Sequence, residues 1–254
     1  MLFRSYPSKP LRVLVASVAG GPPDLIMRGF SEPLRQEFGQ PIVIENQPAG
    51  DGIVAAQMVT RGNTDGHTLI MASAGPMTVN PVLQKNLPYD AAKDFAPAVM
   101  IAQFNSVFVA NASVPANSLR ELIQLAKAKP GGLSYGSQGM GTTGHIGWER
   151  FNLMAGTQIL HVPYKGASLA VIDVIAGQVQ MTMTIIASSW QHIKSGKLRA
   201  IAYTSLKRSP LMPEVPTVDE AGVPGYQCQN TYGYLAPAGT PRAIVRALNS
   251  VIVQ

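Results

Sequence analysis

The sequence predicts an α/β fold in two lobes, on three observations. Short apolar runs of strand length alternate with stretches of helical period, as strands packed against helices require. The alternation occurs twice, over residues 11–72 and again over 133–185, each time with a glycine-rich turn joining a strand to the following helix. At about 150 residues per domain, 254 residues give a prior of two domains and enough chain for a sizeable core.

Taken in order, residues 11–16 form an apolar strand. It runs into Ala19-Gly20-Gly21-Pro22-Pro23-Asp24, where proline near the first helical position and an acid soon after mark a helix start. Leu25, Ile26, Met27, Leu34 and Phe38 follow at helical spacing, and Pro33 among them predicts a kink. A strand at 42–44, a glycine turn at 48–52, a helix at 53–60 and a strand at 68–72 come next. Residues 86–90 read as a loop and 104–110 as a strand. Ser118 has the character of an N-cap, with Glu121 three residues on and an apolar face of Leu119, Leu122, Ile123 and Ala126 behind it; Pro130-Gly131-Gly132 ends that helix. The second round reads strand 133–137, glycine loop, helix 144–155, strand 159–163, helix 169–176, strand 179–185. A strand at 199–204, a proline-rich stretch, a short helix at 218–221, a strand near 229–235 and a helix from Pro241 complete the chain.

Composition narrows the function classes. Charged residues are 13%, about half the usual ~25%, which argues against coiled coils. Gly 24 plus Pro 20 in 254 residues is about 17%, against a usual ~12%, and implies many tight turns. The net charge of +6 is scattered: the densest group, Lys194, Lys197, Arg199, Lys207 and Arg208, is interrupted by Ile193, Gly196 and Ala200, so no nucleic-acid partner is expected. Positive charge favours anionic small molecules by steering. A lone cysteine, Cys228, forbids an internal disulfide and argues against a cysteine metal site. The longest apolar stretch, 169–186, is broken by Asp173, Gly177 and Gln180, short of the ~18 residues of a membrane span. The first residues, Met1 to Pro7, are too short for a signal peptide, which leaves a cytosolic protein or one whose leader has been removed.

Three motifs compete for the chemistry. Gly139-Met140-Gly141-Thr142-Thr143-Gly144 matches the dinucleotide fingerprint and sits between a strand and a helix, which keeps an NAD(P)-dependent oxidoreductase as the alternative; the acid about 20 residues on that should hold the ribose is missing. Gly132-Leu133-Ser134-Tyr135-Gly136 has the letters of a nucleophile elbow, but Ser134 lies within the strand. His145 and Glu149, four apart on a helix, have the spacing of a metal pair and equally that of an ordinary helix contact. A simpler reading joins the loops 19–24 and 137–144. Each places glycines between a strand end and a helix start, where backbone N–H groups and the helix dipole together suit an anion, and Ser137, Thr142 and Thr143 add hydroxyls.

Ala19-Gly20-Gly21-Pro22-Pro23-Asp24, Ile44-Glu45-Asn46-Gln47-Pro48-Ala49-Gly50, Asp65-Gly66-His67-Thr68-Leu69, Leu87-Pro88-Tyr89-Asp90, Lys93-Asp94-Phe95 and Tyr135-Gly136-Ser137-Gln138-Gly139-Met140-Gly141-Thr142 stand in order along the first two-thirds of the chain. His161-Val162-Pro163-Tyr164-Lys165-Gly166, Asp173 to Val179, Gly196 to Ala200, Val215 to Val218 and Leu235 to Pro241 continue the series. Together they resemble the extracytoplasmic receptors of tripartite tricarboxylate transporters, the Bug proteins, from about Tyr6 to the last residue. The resemblance implies a two-lobe periplasmic binding fold (type II-like), with lobe 1 from residues 1–104 plus 225–254 and lobe 2 from 105–224, hinging on a ligand cleft. It implies no catalysis, no cofactor and no metal, but a small mono- or dicarboxylate, aromatic acids included, delivered to the transporter's membrane components by a monomer in the periplasm. The implied ligand contacts are Ala19, Gly20, Gly21, Pro22 and Asp24 in the first loop, Ser73 and Ala74 after the next strand, and Ser137, Gly141, Thr142 and Thr143 in the second loop. Thr184 and Ser188 come from the strand end beyond, and Asp173 matches a family acid. Three features depart from the family: Val18 and Pro23 in the first loop, Ala49-Gly50-Asp51-Gly52 in place of a plainer Gly-Ala-Gly-Gly, and an end at Gln254 where relatives continue into C-terminal helices.

Overall fold

In the computed structural model residues 6–253 are described, with the side chains of Pro22 and Asp51 outside the described set. The chain divides into two units: one holds the described residues up to Gln103 and those from Thr231 onward, the other is Phe104–Asn230.

The first unit begins with β1 (Leu11–Val15), α1 (Pro22–Phe38), β2 (Ile42–Asn46), α2 (Ile53–Thr60) and β3 (Thr68–Ala72). After β3 come a π-helical turn (Gly75–Val79), α3 (Asn80–Leu83) and β4 (Phe95–Asn105); β10 (Gln229–Pro237) and α8 (Arg242–Ile252) return from the far end of the chain. The sheet order is β2-β1-β3-β10-β4, with β1 parallel to both β2 and β3, and β10 antiparallel to β3. Leu14, Ile70, Ala55, Ala56 and Val59 close one core beneath α2, with Tyr89 and Phe95 at its side.

The second unit holds β5 (Val107–Asn111), α4 (Leu119–Ala128), β6 (Ser134–Ser137), α5 (Thr143–Ala155), β7 (Leu160–Pro163), α6 (Ala167–Ile175), β8 (Met181–Thr184), α7 (Ile186–Lys194) and β9 (Leu198–Tyr203). Its order is β7-β6-β8-β5-β9, with β6 parallel to β7 and β8, and β5 antiparallel to β8 and β9. Period-two alternation gives this sheet two buried faces: Phe108 and Ala110 join Trp148, Phe151 and Tyr226, while Val107 and Val109 join Val171 and Val174.

The two sheets therefore repeat one topology. In each, a first strand (β1 or β6) leads through a glycine loop and a helix to a parallel neighbour on one side. A second helix then returns the chain to a parallel strand on its other side (β3 or β8). Connections leave β1 and β3, or β6 and β8, in opposite directions, and α/β sheets bind ligands at the carboxyl ends of strands where that reversal occurs.

Three details differ from expectation. The 104–110 strand is two strands, β4 and β5, parted at Ser106, and β4 reaches back to Phe95. Residues 186–194 form the helix α7 instead of remaining a connection; Ile186, Trp190 and Ile193 pack it onto the second unit's core. Residues 218–221 make a single turn, closed by Ala221 N–H on the Thr217 carbonyl, because Gly222 at φ 121° and Pro224 stop a helix before it can nucleate. α1 continues through Pro33 as one element, and Pro33 and Gly29, whose carbonyl the missing rung would have used, are both exposed to solvent.

Candidate functional site

Loops cluster at the carboxyl edge of the first sheet. Gly52, with φ +87°, would put a Cβ 2.8 Å from the Ala16 Cβ and 3.2 Å from Pro76, so the turns after β1, β2 and β3 meet at a point that admits only glycine. The loop after β1 is held from inside. The buried Asp24 accepts the Gly20 N–H at 2.8 Å, Arg28 Nε at 2.9 Å and Asn46 Nδ2 at 3.0 Å. Asn46 also donates to the Ser17 carbonyl, tying the end of β2 to the same loop. The hydrogen bond from Arg28 holds the Asp24 carboxyl below its ordinary range.

This geometry revises the first anion cradle. Gly20 N–H points at Asp24, Gly21 N–H at the Val18 carbonyl, and Pro22 and Pro23 at the first two helical positions have no N–H. Pro22 was expected to touch ligand; its side chain lies outside the described residues. The exposed Ala19 and the Asp24 backbone retain N–H groups without a partner among the described residues, and Ser73 and Ala74 stand after β3 on the adjoining strand. Asp24 thus shapes the loop and offers its carboxylate to no anion.

The second unit has its own loop at the corresponding place. Ser137 is fully buried at the end of β6; its Oγ accepts the Gly139 N–H at 3.1 Å and stands 2.6 Å from His161 Nε2. Gly141 N–H donates to His145 Nδ1 at 3.1 Å. Thr142 caps α5: its Oγ1 accepts the His145 N–H at 3.4 Å and donates to the Gly139 carbonyl at 2.8 Å. Gln138 Nε2 bonds the Met183 carbonyl, fixing the loop to β8, and a Cβ on Gly144 would collide with the Gln138 amide. Ser137, Gly141 and Thr142 consequently serve the loop's own shape, while the N–H groups of Thr143 and Gly144, the first two of α5, have no partner among the described residues. At the end of the neighbouring β8, Thr184 is 3% exposed and its Oγ1 lacks a hydrogen-bond partner among the described residues. The helix α7 that follows has no side-chain cap, and Ser188 sits exposed in its first turn. Parallel pairing of Gly136 with Thr182 sets these two helix starts on adjacent strands of one edge.

Asp173 stands on α6 and reaches the second loop through Tyr164, whose N–H donates to the Ser137 carbonyl at 3.1 Å. It accepts the Tyr164 hydroxyl at 2.8 Å, and burial together with Asp173 pushes that phenol up to about 12. The Tyr164 ring covers Gly136, where a Cβ would come within 3.0 Å of it, so Asp173 positions a lid over β6. His145 and His161, which no sequence motif marked as loop ligands, stack at 4.2 Å, and burial lowers both imidazole pKa values. Glu149 accepts the Tyr135 hydroxyl at 2.6 Å instead of pairing with His145, and no group of three or more His, Cys, Asp or Glu among the described residues could hold a metal. Among the described residues no helix is long and apolar enough to cross a membrane.

The family model described as "Tripartite tricarboxylate transporter family receptor" matches residues 26–254. The chain belongs to the tripartite tricarboxylate transporter receptor family. Protein BugT of Bordetella pertussis is 32% identical over 246 residues, 96% of this chain and 76% of BugT. The structure of Rpa4515 from R. palustris with adipate superposes at a TM-score of 0.88, with 34% identity over 97% of this chain and 83% of that one. MatC from Rhodopseudomonas palustris with bound malate gives 0.86, 30% identity, and 98% and 84% coverage. The fold of this receptor is accordingly the two-lobe α/β architecture of periplasmic binding proteins, and its family is one of substrate receptors, not enzymes. The glycine pattern at 139–144 therefore shapes a receptor loop, and the oxidoreductase alternative is not favoured.

Proposed function

We propose that this receptor resides in the periplasm, captures one small organic carboxylate at its glycine-loop amides and hands it, as a monomer, to the membrane components of a tripartite tricarboxylate-type transporter. The observation that carries the reading is the pair of unengaged amides, Thr143 and Gly144, at the dipole-positive start of α5. These donors suit a carboxylate oxygen, and the orphan hydroxyl of Thr184 on the neighbouring strand suits a second polar atom of the same ligand. In the first lobe the Ala19 amide, in the loop that Asp24 holds in place, and the hydroxyl of Ser73, after β3, are donors of the same kind. Adipate and malate in the related structures support the ligand class. Ligand binding shifts the population among the receptor's conformations, and that shift is the signal a transporter can read.

A thermal-shift screen of adipate, malate and aromatic acids, followed by calorimetry, tests the proposal. An acid at about 100 times its Kd stabilises by about 2.7 kcal/mol, a rise of roughly 5–10 °C for a chain of this size. Stabilisation by NADPH with none from any acid would overturn it.

A further inference from the structure

Two histidines meet the second glycine loop from beneath. His145 Nδ1 accepts the Gly141 N–H at 3.1 Å, and His161 Nε2 lies 2.6 Å from Ser137 Oγ, which in turn accepts the Gly139 N–H. An imidazole nitrogen that accepts an N–H carries no proton, so the bond from Gly141 requires the neutral ring with its hydrogen on Nε2. Protonating His145 places an N–H against an N–H and leaves Gly141 in need of another acceptor. A ligand carboxylate at the start of α5 is such an acceptor, and its charge favours the imidazolium.

We infer that His145 is a positioning residue that latches the Gly141 amide, and that a carboxylate is captured together with one proton. This inference rests on the proposed carboxylate reading. The surroundings suit a single proton. His161, from β7, stacks on His145 at 4.2 Å, so a second charge is opposed by the first. Tyr135, from β6, stacks on His161 and gives its hydroxyl to Glu149, while Glu149, on α5, attracts the imidazolium. Burial lowers both imidazole pKa values in the empty receptor, and ligand charge works in the opposite direction. Affinity should therefore rise as pH falls from 8 towards 5.5, about tenfold for each unit by which the ligand raises the His145 pKa.

The test has a free-protein arm and a ligand arm. In the free receptor the Gly141 amide resonance should titrate with the His145 ring, and the titration should vanish in His145→Asn, whose Oδ1 accepts the N–H but takes up no proton. Calorimetry with adipate and malate in two buffers of different ionisation enthalpy should show uptake of up to one proton near pH 6.5. His145→Asn should bind at every pH as the wild type does at pH 8, whereas His145→Ala, which frees Gly141 but supplies no imidazolium charge, should lose the pH dependence and bind more tightly at every pH than the wild type does at pH 8. A merely structural histidine predicts that both variants weaken binding in parallel at all pH values, and that result, or binding without proton uptake, overturns the inference. If neither acid binds the wild type, the carboxylate reading fails; a Gly141 resonance that ignores pH sinks the latch alone.

Discussion

Replacing Asp24 by Asn tests whether the first loop is held from inside. The carboxylate receives three hydrogen bonds, from Gly20 N–H, Arg28 Nε and Asn46 Nδ2, at 2.8, 2.9 and 3.0 Å. Hydrogen bonds to a charged group contribute about 1.5–3 kcal/mol each, but the Arg28 side chain is 52% exposed and solvent screens its ion pair. An Asn keeps one acceptor oxygen and turns an NH₂ towards a donor, so one buried bond is lost and another weakened, for a cost of roughly 2–4 kcal/mol. At roughly 2–4 °C per kcal/mol the melting temperature should fall by about 4–16 °C. The pH dependence has a definite sign. Arg28 depresses the folded-state pKa of Asp24, so its stabilisation is complete above the unfolded value of about 3.9 and disappears as pH falls through the lower folded value. Asp24→Asn should flatten the acid limb of the stability curve, read by thermal scans between pH 2 and 7. An unchanged melting temperature at pH 7, or an acid limb identical to the wild type's, would refute the reasoning.

Gly52→Ala should destabilise by about 2–4 kcal/mol, from a left-handed backbone at φ +87° and a Cβ 2.8 Å from that of Ala16, and denaturant melts would show it. Asp173→Asn should cost about 1 kcal/mol through its bond to Tyr164 and leave carboxylate affinity within about twofold; a large loss of affinity would restore Asp173 to the ligand site. Burial pushes the Cys228 thiol up to about 11, so at pH 8 about 0.1% is thiolate and its reaction with a disulfide reagent should be far slower than that of free cysteine.

How much of this was legible in the sequence varied with the range of the signal. β1, β2 and β3 are compact apolar runs bounded by Gly and Pro, and Ser118 with Glu121 is a cap formed within one turn; Ser118 Oγ accepts the Glu121 N–H at 3.2 Å. β4 contains Pro97, and its buried positions follow no period of two, so only pairing within the sheet makes it a strand. α7 has an apolar spacing at 186, 190 and 193, but no cap to separate it from the strand before it. At the site, Ser137, Gly141 and Thr142 carry the right donors for an anion; what removes them from solution are His161, His145 and the Gly139 carbonyl, supplied by other parts of the loop and fold.

Family, lobe architecture and the position of both glycine loops were decided by the sequence itself, because hydrophobic period, turn residues and motif order are properties of neighbouring positions. What anchors the two loops was decided by the tertiary structure. A hydrogen bond belongs to whichever partner the fold brings within 3 Å, and for Asp24 and Ser137 those partners, Asn46 and His161, stand more than twenty residues away.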